Sequence, residues 1–234
     1  MTAVVLVHGA WGGAHGFRSV RRLLAAAGQE VTAPALTGIG ERVHLTGPQV
    51  GLDTHVTDVV NHVRYEDLTD VVLVGFSYGG MVVTGALDEI GDRVRALVYL
   101  DAFVPDDGDS VYGLLGVPPP PAGLGAPWLV DGPRRVYEDP AEEAFSVPRR
   151  TPQPVRCFTE PVRLSRPVEE WPLSRTYVRA TEAEPGVPPS PAFAAAAERA
   201  RTSAAWTYRE LAATHMLPQN RPREVADLLL ELTG

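Results

Sequence analysis

Runs of consecutive apolar residues alternate along the first hundred positions with longer stretches whose apolar residues recur at helical spacing, the signatures of strand and helix respectively. Strands are predicted at 3–7, 30–34, 70–75 and 95–100, and helices at 17–27, 53–65 and 78–90. From 102 to about 172 this alternation stops. Prolines, among them the run Pro118-Pro119-Pro120-Pro121, interleave there with Phe103, Tyr112, Leu114, Leu115, Trp128, Phe145, Phe158 and Trp171. The alternation resumes with a strand at 175–180, an alanine-rich helix at 191–202, a strand at 206–211 and an amphipathic helix at 222–232. The regular part predicts an α/β fold, a doubly wound and mostly parallel sheet whose site lies beyond the carboxyl ends of its strands. Seventy residues of structureless loop are implausible inside a compact domain. Residues 102–172 are therefore expected to form an inserted cap, with 1–101 and 173–234 as the core.

Chemistry enters where the strand ending Val71-Val72-Leu73-Val74 meets Gly75-Phe76-Ser77-Tyr78-Gly79 and a helical stretch follows. A G-x-S-x-G sequence in a strand–turn–helix setting is a nucleophile elbow: the sharp turn pushes the serine hydroxyl off the sheet, and Gly75, Gly79 and Gly80 avoid collisions with strand and helix. A serine hydroxyl is a weak nucleophile until an imidazole takes its proton. His215, in the loop after the last predicted strand, is the one histidine beyond residue 62, and is the expected base. The first strand ends in His8-Gly9-Ala10-Trp11-Gly12-Gly13. An elbow of this kind takes one oxyanion N–H from the residue after the nucleophile and one from the loop after such a strand, here Tyr78 and Ala10. His8 is expected to be structural, and His55 and His62 to be packing or surface residues.

Composition removes several alternatives. The chain has 234 residues, 44% hydrophobic and 21% charged, as expected of one globular domain. A net charge of −8 without a basic patch speaks against a nucleic-acid partner. No long apolar span points to a membrane, and the single cysteine, Cys157, excludes an internal disulfide; a cytoplasmic enzyme with a small-molecule substrate is expected, and a homodimer stays open. Lysine is absent altogether, which removes Schiff-base, P-loop and serine–lysine chemistry. The histidines show no metal-ligand spacing, so neither a metal nor another cofactor is expected.

Taken together, Val5-Leu6-Val7-His8-Gly9-Ala10-Trp11, Leu36-Thr37-Gly38-Ile39-Gly40-Glu41-Arg42, Gly75-Phe76-Ser77-Tyr78-Gly79-Gly80 and Tyr99-Leu100-Asp101-Ala102-Phe103-Val104-Pro105 resemble the α/β-hydrolase superfamily. Within it the chain is similar to the compact branch of plant methylesterases, hydroxynitrile lyases and bacterial carboxylesterases such as pyrethroid hydrolases. The resemblance implies a sheet of about six strands and a cap lining the substrate pocket, with Trp11, Phe103, Trp128 and Met216 as substrate-binding residues. It also implies an acid in a Thr-Glu-Asp turn after the strand ending at Ala180, but this chain reads Thr181-Glu182-Ala183-Glu184 there. The acid is therefore expected at Asp101, which closes the preceding strand, with Glu182 or Glu184 as alternatives. The expected activity is cleavage of a carboxylic ester of a small to medium apolar substrate through an acyl-enzyme. Lactone or thioester hydrolysis and natural-product tailoring use the same residues. A hydroxynitrile lyase of this branch needs a lysine and a threonine where this chain has Met216 and Gly9, and a non-catalytic ligand-binding protein has no need of the elbow.

Overall fold

The computed structural model describes residues 2–121, 123 and 125–233. Its strands are β1 (Ala3–Val7), β2 (Glu30–Thr32), β3 (Val71–Phe76), β4 (Val94–Leu100), β5 (Leu129–Val130), β6 (Gln153–Pro154), β7 (Ser174–Ala180) and β8 (Thr207–Leu211). Six of them form one sheet in the order β2-β1-β3-β4-β7-β8, every pairing parallel, while β5 and β6 form a separate antiparallel pair. The helices are α1 (Arg18–Ala26), α2 (Leu52–Tyr65), α3 (Gly79–Gly85), α4 (Leu87–Ile90), α5 (Val111–Leu115), α6 (Pro140–Ser146), α7 (Arg156–Thr159), α8 (Pro191–Thr202), α9 (Leu217–Asn220) and α10 (Pro222–Glu231).

The continuous apolar runs of the central strands have a direct cause. Alternate residues of β1 and β3 point to opposite faces, and both faces are covered. Val5, Val7 and Leu73 join a core with Val59 and Val63 of α2, Met81 and Val82 of α3, and Ala196 of α8. Val4, Leu6, Val72 and Val74 join a second core with Val20 and Leu24 of α1 and Val225 and Leu229 of α10. The sheet is thus the middle of three layers, with apolar burial on each side stabilising it at roughly 25 cal/mol per Å².

One difference from expectation is local. The predicted helix at 78–90 is two helices broken at Ala86; the Thr84 hydroxyl donates to the Gly80 carbonyl at 2.7 Å, a back-bond that bends helices, and Gly85 adds backbone freedom at the break. Between β4 and β7 the chain is not structureless. It forms α5, the β5–β6 pair, α6 and α7, separated by irregular stretches in which proline removes backbone donors.

Candidate active site

Parallel strands deliver their following loops to one edge, and the order of the sheet decides which loops meet there. β3 lies next to β4, and β4 next to β7. Ser77 follows β3 with φ of +55°, and Asp101 follows β4 with φ of +41°; both hold the left-handed conformation that non-glycine residues rarely adopt. Each is pinned by its backbone. The Ser77 N–H donates to the Leu100 carbonyl (3.2 Å), and the Asp101 N–H to the Val178 carbonyl (2.8 Å). The elbow's glycines are sterically required: a Cβ on Gly79 would sit 2.5 Å from the Val7 carbonyl oxygen, and one on Gly80 would collide with the Phe103 carbonyl.

The structure brings Ser77, His215 and Asp101 into one hydrogen-bonded line. His215 Nδ1 lies 2.7 Å from Asp101 Oδ2, and His215 Nε2 lies 3.0 Å from Ser77 Oγ. A carboxylate accepts only, so Nδ1 carries the proton and Nε2 is free to accept from the serine hydroxyl. The second carboxylate oxygen accepts from the Ala180 N–H at 3.3 Å. The imidazole is held between two aromatic rings, Phe76 at 5.0 Å and Phe193 of α8 at 5.1 Å. Neither phenylalanine stands out in the sequence as part of a site, because an apolar residue on a strand end or a helix face reads as core.

The two alternative acids line the same cavity but take other partners. Glu184 is buried against Arg135 (2.6 Å) and accepts from the Val136 N–H (2.8 Å). Glu182 is half exposed, its nearest cation being Arg221 at 3.9 Å. Neither carboxylate bonds His215. Their loop follows β7, but Glu184 pairs with the Arg135 guanidinium and Glu182 faces solvent, so neither carboxylate reaches the imidazole.

Ala10 and Tyr78 flank Ser77 with N–H groups that no protein acceptor among the described residues engages. The loop carrying Ala10 is tied down at its next residue. Trp11 has φ of +58°; its N–H donates to Gln153 Oε1 (2.8 Å), its indole N–H to the Val130 carbonyl (3.0 Å), and its carbonyl accepts from the Thr151 N–H (3.1 Å). Glu41 holds the far side of the loop, accepting from the N–H groups of Ala14 (3.2 Å) and His15 (2.7 Å). Burial alone would raise its carboxyl, but bonds from the His15 ring and from the amides of His15 and of Glu41 itself outweigh that and bring it down to about 2. Gln153 and Glu41 were invisible to sequence reasoning because their partners are 142 and 26 positions away.

Two buried histidines brace this machinery. The Leu36 N–H donates to His8 Nε2 (3.1 Å), so His8 Nδ1–H donates to the Gly9 carbonyl (2.9 Å). His55 Nε2–H donates to the Thr37 carbonyl (2.8 Å), leaving Nδ1 to accept from the Tyr78 hydroxyl (2.9 Å). Burial lowers both imidazoles to about 4 and pushes the Tyr78 phenol well up, so this network is neutral. His62 is half-buried on Thr32 Oγ1. Burial also pushes the Cys157 thiol up to about 12, which leaves it a core residue rather than a nucleophile.

A cavity of about 370 Å³ opens over Ser77. Trp11 and Phe103 line it, with Val111, Tyr112, Val130 and Phe158 from the segment between β4 and β7. Two expected substrate contacts differ. Trp128 is 38% exposed and lines no cavity around Ser77; in a proline-rich stretch no periodicity distinguishes inward from outward positions, and Val130 supplies the wall. Met216 is buried but faces a smaller, second cavity beside Ser77. Among the described residues no group of histidine, cysteine or carboxylate side chains could hold a metal ion, and no helix is long and apolar enough to cross a membrane.

A family model described as "Alpha/beta hydrolase family" matches residues 4–228. The chain belongs to the alpha/beta hydrolase family. Within this family it is 51% identical over 121 residues to a carbendazim hydrolyzing esterase from Nocardioides sp. (strain SG-4G), an alignment covering 52% of this chain and 50% of that protein. The matched stretch thus spans about half the relative's own length. The alpha/beta hydrolase fold is shared with a methylesterase, MES16, from Arabidopsis (TM-score 0.79, 24% identity, 100% of this chain and 99% of the other). A pyrethroid hydrolase from Sphingobium faniae JZ-2 shares it too (TM-score 0.72, 20% identity, 99% and 96%).

Proposed function

We propose that this chain is a serine hydrolase that cleaves a carboxylic ester of a small to medium apolar substrate through an acyl-enzyme. The observation that carries the reading is the line from Ser77 Oγ through His215 to Asp101, at 3.0 and 2.7 Å, on an elbow with positive φ. In the reaction Ser77 Oγ attacks the ester carbonyl as His215 Nε2 takes its proton. Asp101 holds the ring in the reactive tautomer and stabilises the imidazolium. The N–H groups of Ala10 and Tyr78 bind the oxyanion. His215 returns its proton to the departing alkoxide, and water then releases the acid by the same steps. Residues 102–172 act as the cap, closing an apolar chamber that suits the larger part of the substrate.

The 51% identity to a carbendazim hydrolyzing esterase puts carbendazim in the first substrate panel beside aryl and alkyl esters, lactones and thioesters. Hydroxynitrile-lyase chemistry is disfavoured by the absence of lysine. A pure ligand-binding role is disfavoured by the strained serine, whose conformation serves no binding purpose. A cytoplasmic enzyme without cofactor, acting on a small molecule rather than on nucleic acid, fits a chain with one cysteine and net charge −8. The test is labelling with a fluorophosphonate followed by peptide mapping. The adduct is expected on Ser77 and lost in Ser77→Ala, which should fold normally because alanine meets the elbow's steric demand. An adduct on another residue, or ester turnover surviving in Ser77→Ala, sinks the assignment.

A further inference from the structure

His215 changes charge during the proposed reaction, in surroundings that offer this charge little water. The side chains of His215 and Asp101 are each only 10% exposed. In the plane of the imidazole both nitrogens have partners, Asp101 Oδ2 at 2.7 Å and Ser77 Oγ at 3.0 Å. Its faces meet aromatic rings. Phe193 is stacked on it, with 5.1 Å between centroids and 16° between planes, and Phe76 lies at 5.0 Å and 32°. The rings come from opposite layers of the fold. Phe76, the last residue of β3, belongs to the core shared with α1 and α10, whereas Phe193 of α8 packs against the core shared with α2 and α3. Each has an edge-on neighbour, Phe17 for Phe76 at 6.3 Å and Phe103 for Phe193 at 4.8 Å. Phe193 is held by its backbone too: its N–H donates to Ser190 Oγ at 3.4 Å, and its carbonyl accepts from the Tyr177 hydroxyl at 3.3 Å.

We infer that Phe76 and Phe193 are positioning residues that stabilise His215 in its cationic state through the negative faces of their rings. The inference rests on the ester-hydrolase reading and deepens it. A buried cation is costly unless its surroundings compensate it. An aromatic face attracts a cation that lies within about 6 Å of the ring centroid, and both rings meet that limit. Neutral imidazole gains less from them, so the rings favour the state in which Nε2 holds the extra proton. In acylation this proton comes from Ser77 Oγ as Oγ bonds to the carbonyl carbon, and it leaves with the alkoxide. In deacylation it comes from water as the water oxygen bonds to the acyl carbon, and Oγ takes it back when the bond from that carbon breaks. The imidazolium forms in each half, so the rings act on both. An aliphatic side chain would cover the same faces and leave the cation uncompensated.

Fluorination separates this electrostatic role from packing, because each fluorine drains negative potential from the ring face while the ring keeps nearly the same shape. Phe193 is replaced in the full chain by phenylalanine analogues bearing one, three and five fluorines, and kcat and KM are measured with p-nitrophenyl acetate. The expected result is a stepwise fall in kcat, reaching about tenfold with five fluorines, at a KM within about twofold and an unchanged melting temperature. Should the five-fluorine protein be less stable, the slope over one and three fluorines decides. Phe193→Leu should lose at least as much kcat as the five-fluorine protein. A flat fluorine series beside a slow Phe193→Leu makes Phe193 a packing residue and overturns the inference. Wild-type kcat in Phe193→Leu overturns it too, and so does a series in which KM rises while kcat holds, since Phe193 lines the large chamber and would then be a substrate contact. A wild type that neither turns over the ester nor takes a fluorophosphonate on Ser77 overturns the ester-hydrolase reading itself.

Discussion

Asp101 combines three properties seldom found in one residue: a positive φ, burial, and a carboxylate shared between a main-chain N–H and an imidazole. A cap for the following turn would need none of the contact to His215. Asp101→Asn is expected to fold and to lose up to about 10⁴-fold in kcat/KM, the magnitude known for the analogous change in chymotrypsin-type proteases. Glu182→Gln, at a half-exposed position, should change activity and stability little. Glu184→Gln breaks a buried ion pair and should lower stability by about 3 kcal/mol, with labelling of Ser77 retained. Rates measured on samples of matched folded fraction check all three. If Asp101→Asn keeps more than about a tenth of the activity while a glutamine variant collapses, the acid is misassigned.

At the scale of elements, the β5–β6 pair does more than wall the chamber. Through Gln153 and Val130, with Thr151 just before β6, it grips Trp11 at three polar atoms, and Trp11 directly follows Ala10, the proposed oxyanion donor. Gln153→Met keeps the volume and removes the acceptor, so the Ala10 N–H should lose its fixed aim. The expected result is a fall in kcat of about 10-fold or more with KM nearly unchanged, since an oxyanion-hole donor acts on the transition state. Affinity for a trifluoromethyl ketone should fall in parallel. A variant that loses KM instead would make Gln153 a substrate contact and refute the clamp.

At the scale of the whole molecule, His8 and His55 link stability to acid. Both titrate near 6.5 in an unfolded chain and at about 4 when folded, so between these values the unfolded chain binds protons that the folded one refuses. Stability is complete above pH 6.5 and declines as the pH falls towards 4, by about 1.4 kcal/mol per pH unit for each histidine. Urea unfolding at pH 7 and pH 5 should therefore differ by about 4 kcal/mol from this pair, a large share of the ~5–15 kcal/mol typical of a domain. His55→Gln should show about half that slope. Equal stability at both pH values would falsify the assignment of two neutral histidines.

The layered sheet could be read from the sequence because strands buried on both faces must be apolar throughout, and Ser77 because only a glycine-flanked turn fits between β3 and α3. His215 and Asp101 were accessible through their places at strand ends. What pairs distant segments was not: Gln153 with Trp11, Glu41 with His15, His55 with Tyr78 and Phe193 with His215 depend on tertiary contacts that leave no local period. The proline-rich segment hid its inward and outward positions for the same reason, so Trp128 and Val130 exchanged roles.

With Asp101 at the β4 end bonded to His215, the loop after β7 carries no part of the Ser77–His215–Asp101 line. Ala183, Glu184, Val187 and Pro188 nevertheless line the large chamber. Evolution and the engineer thus receive a modular part, a stretch of chamber wall whose length and chemistry can be exchanged while Ser77, His215 and Asp101 keep their supports. A library confined to residues 185–189, leaving the Glu184–Arg135 pair and the Ser190 cap of α8 in place, would sample new substrate preferences at constant chemistry.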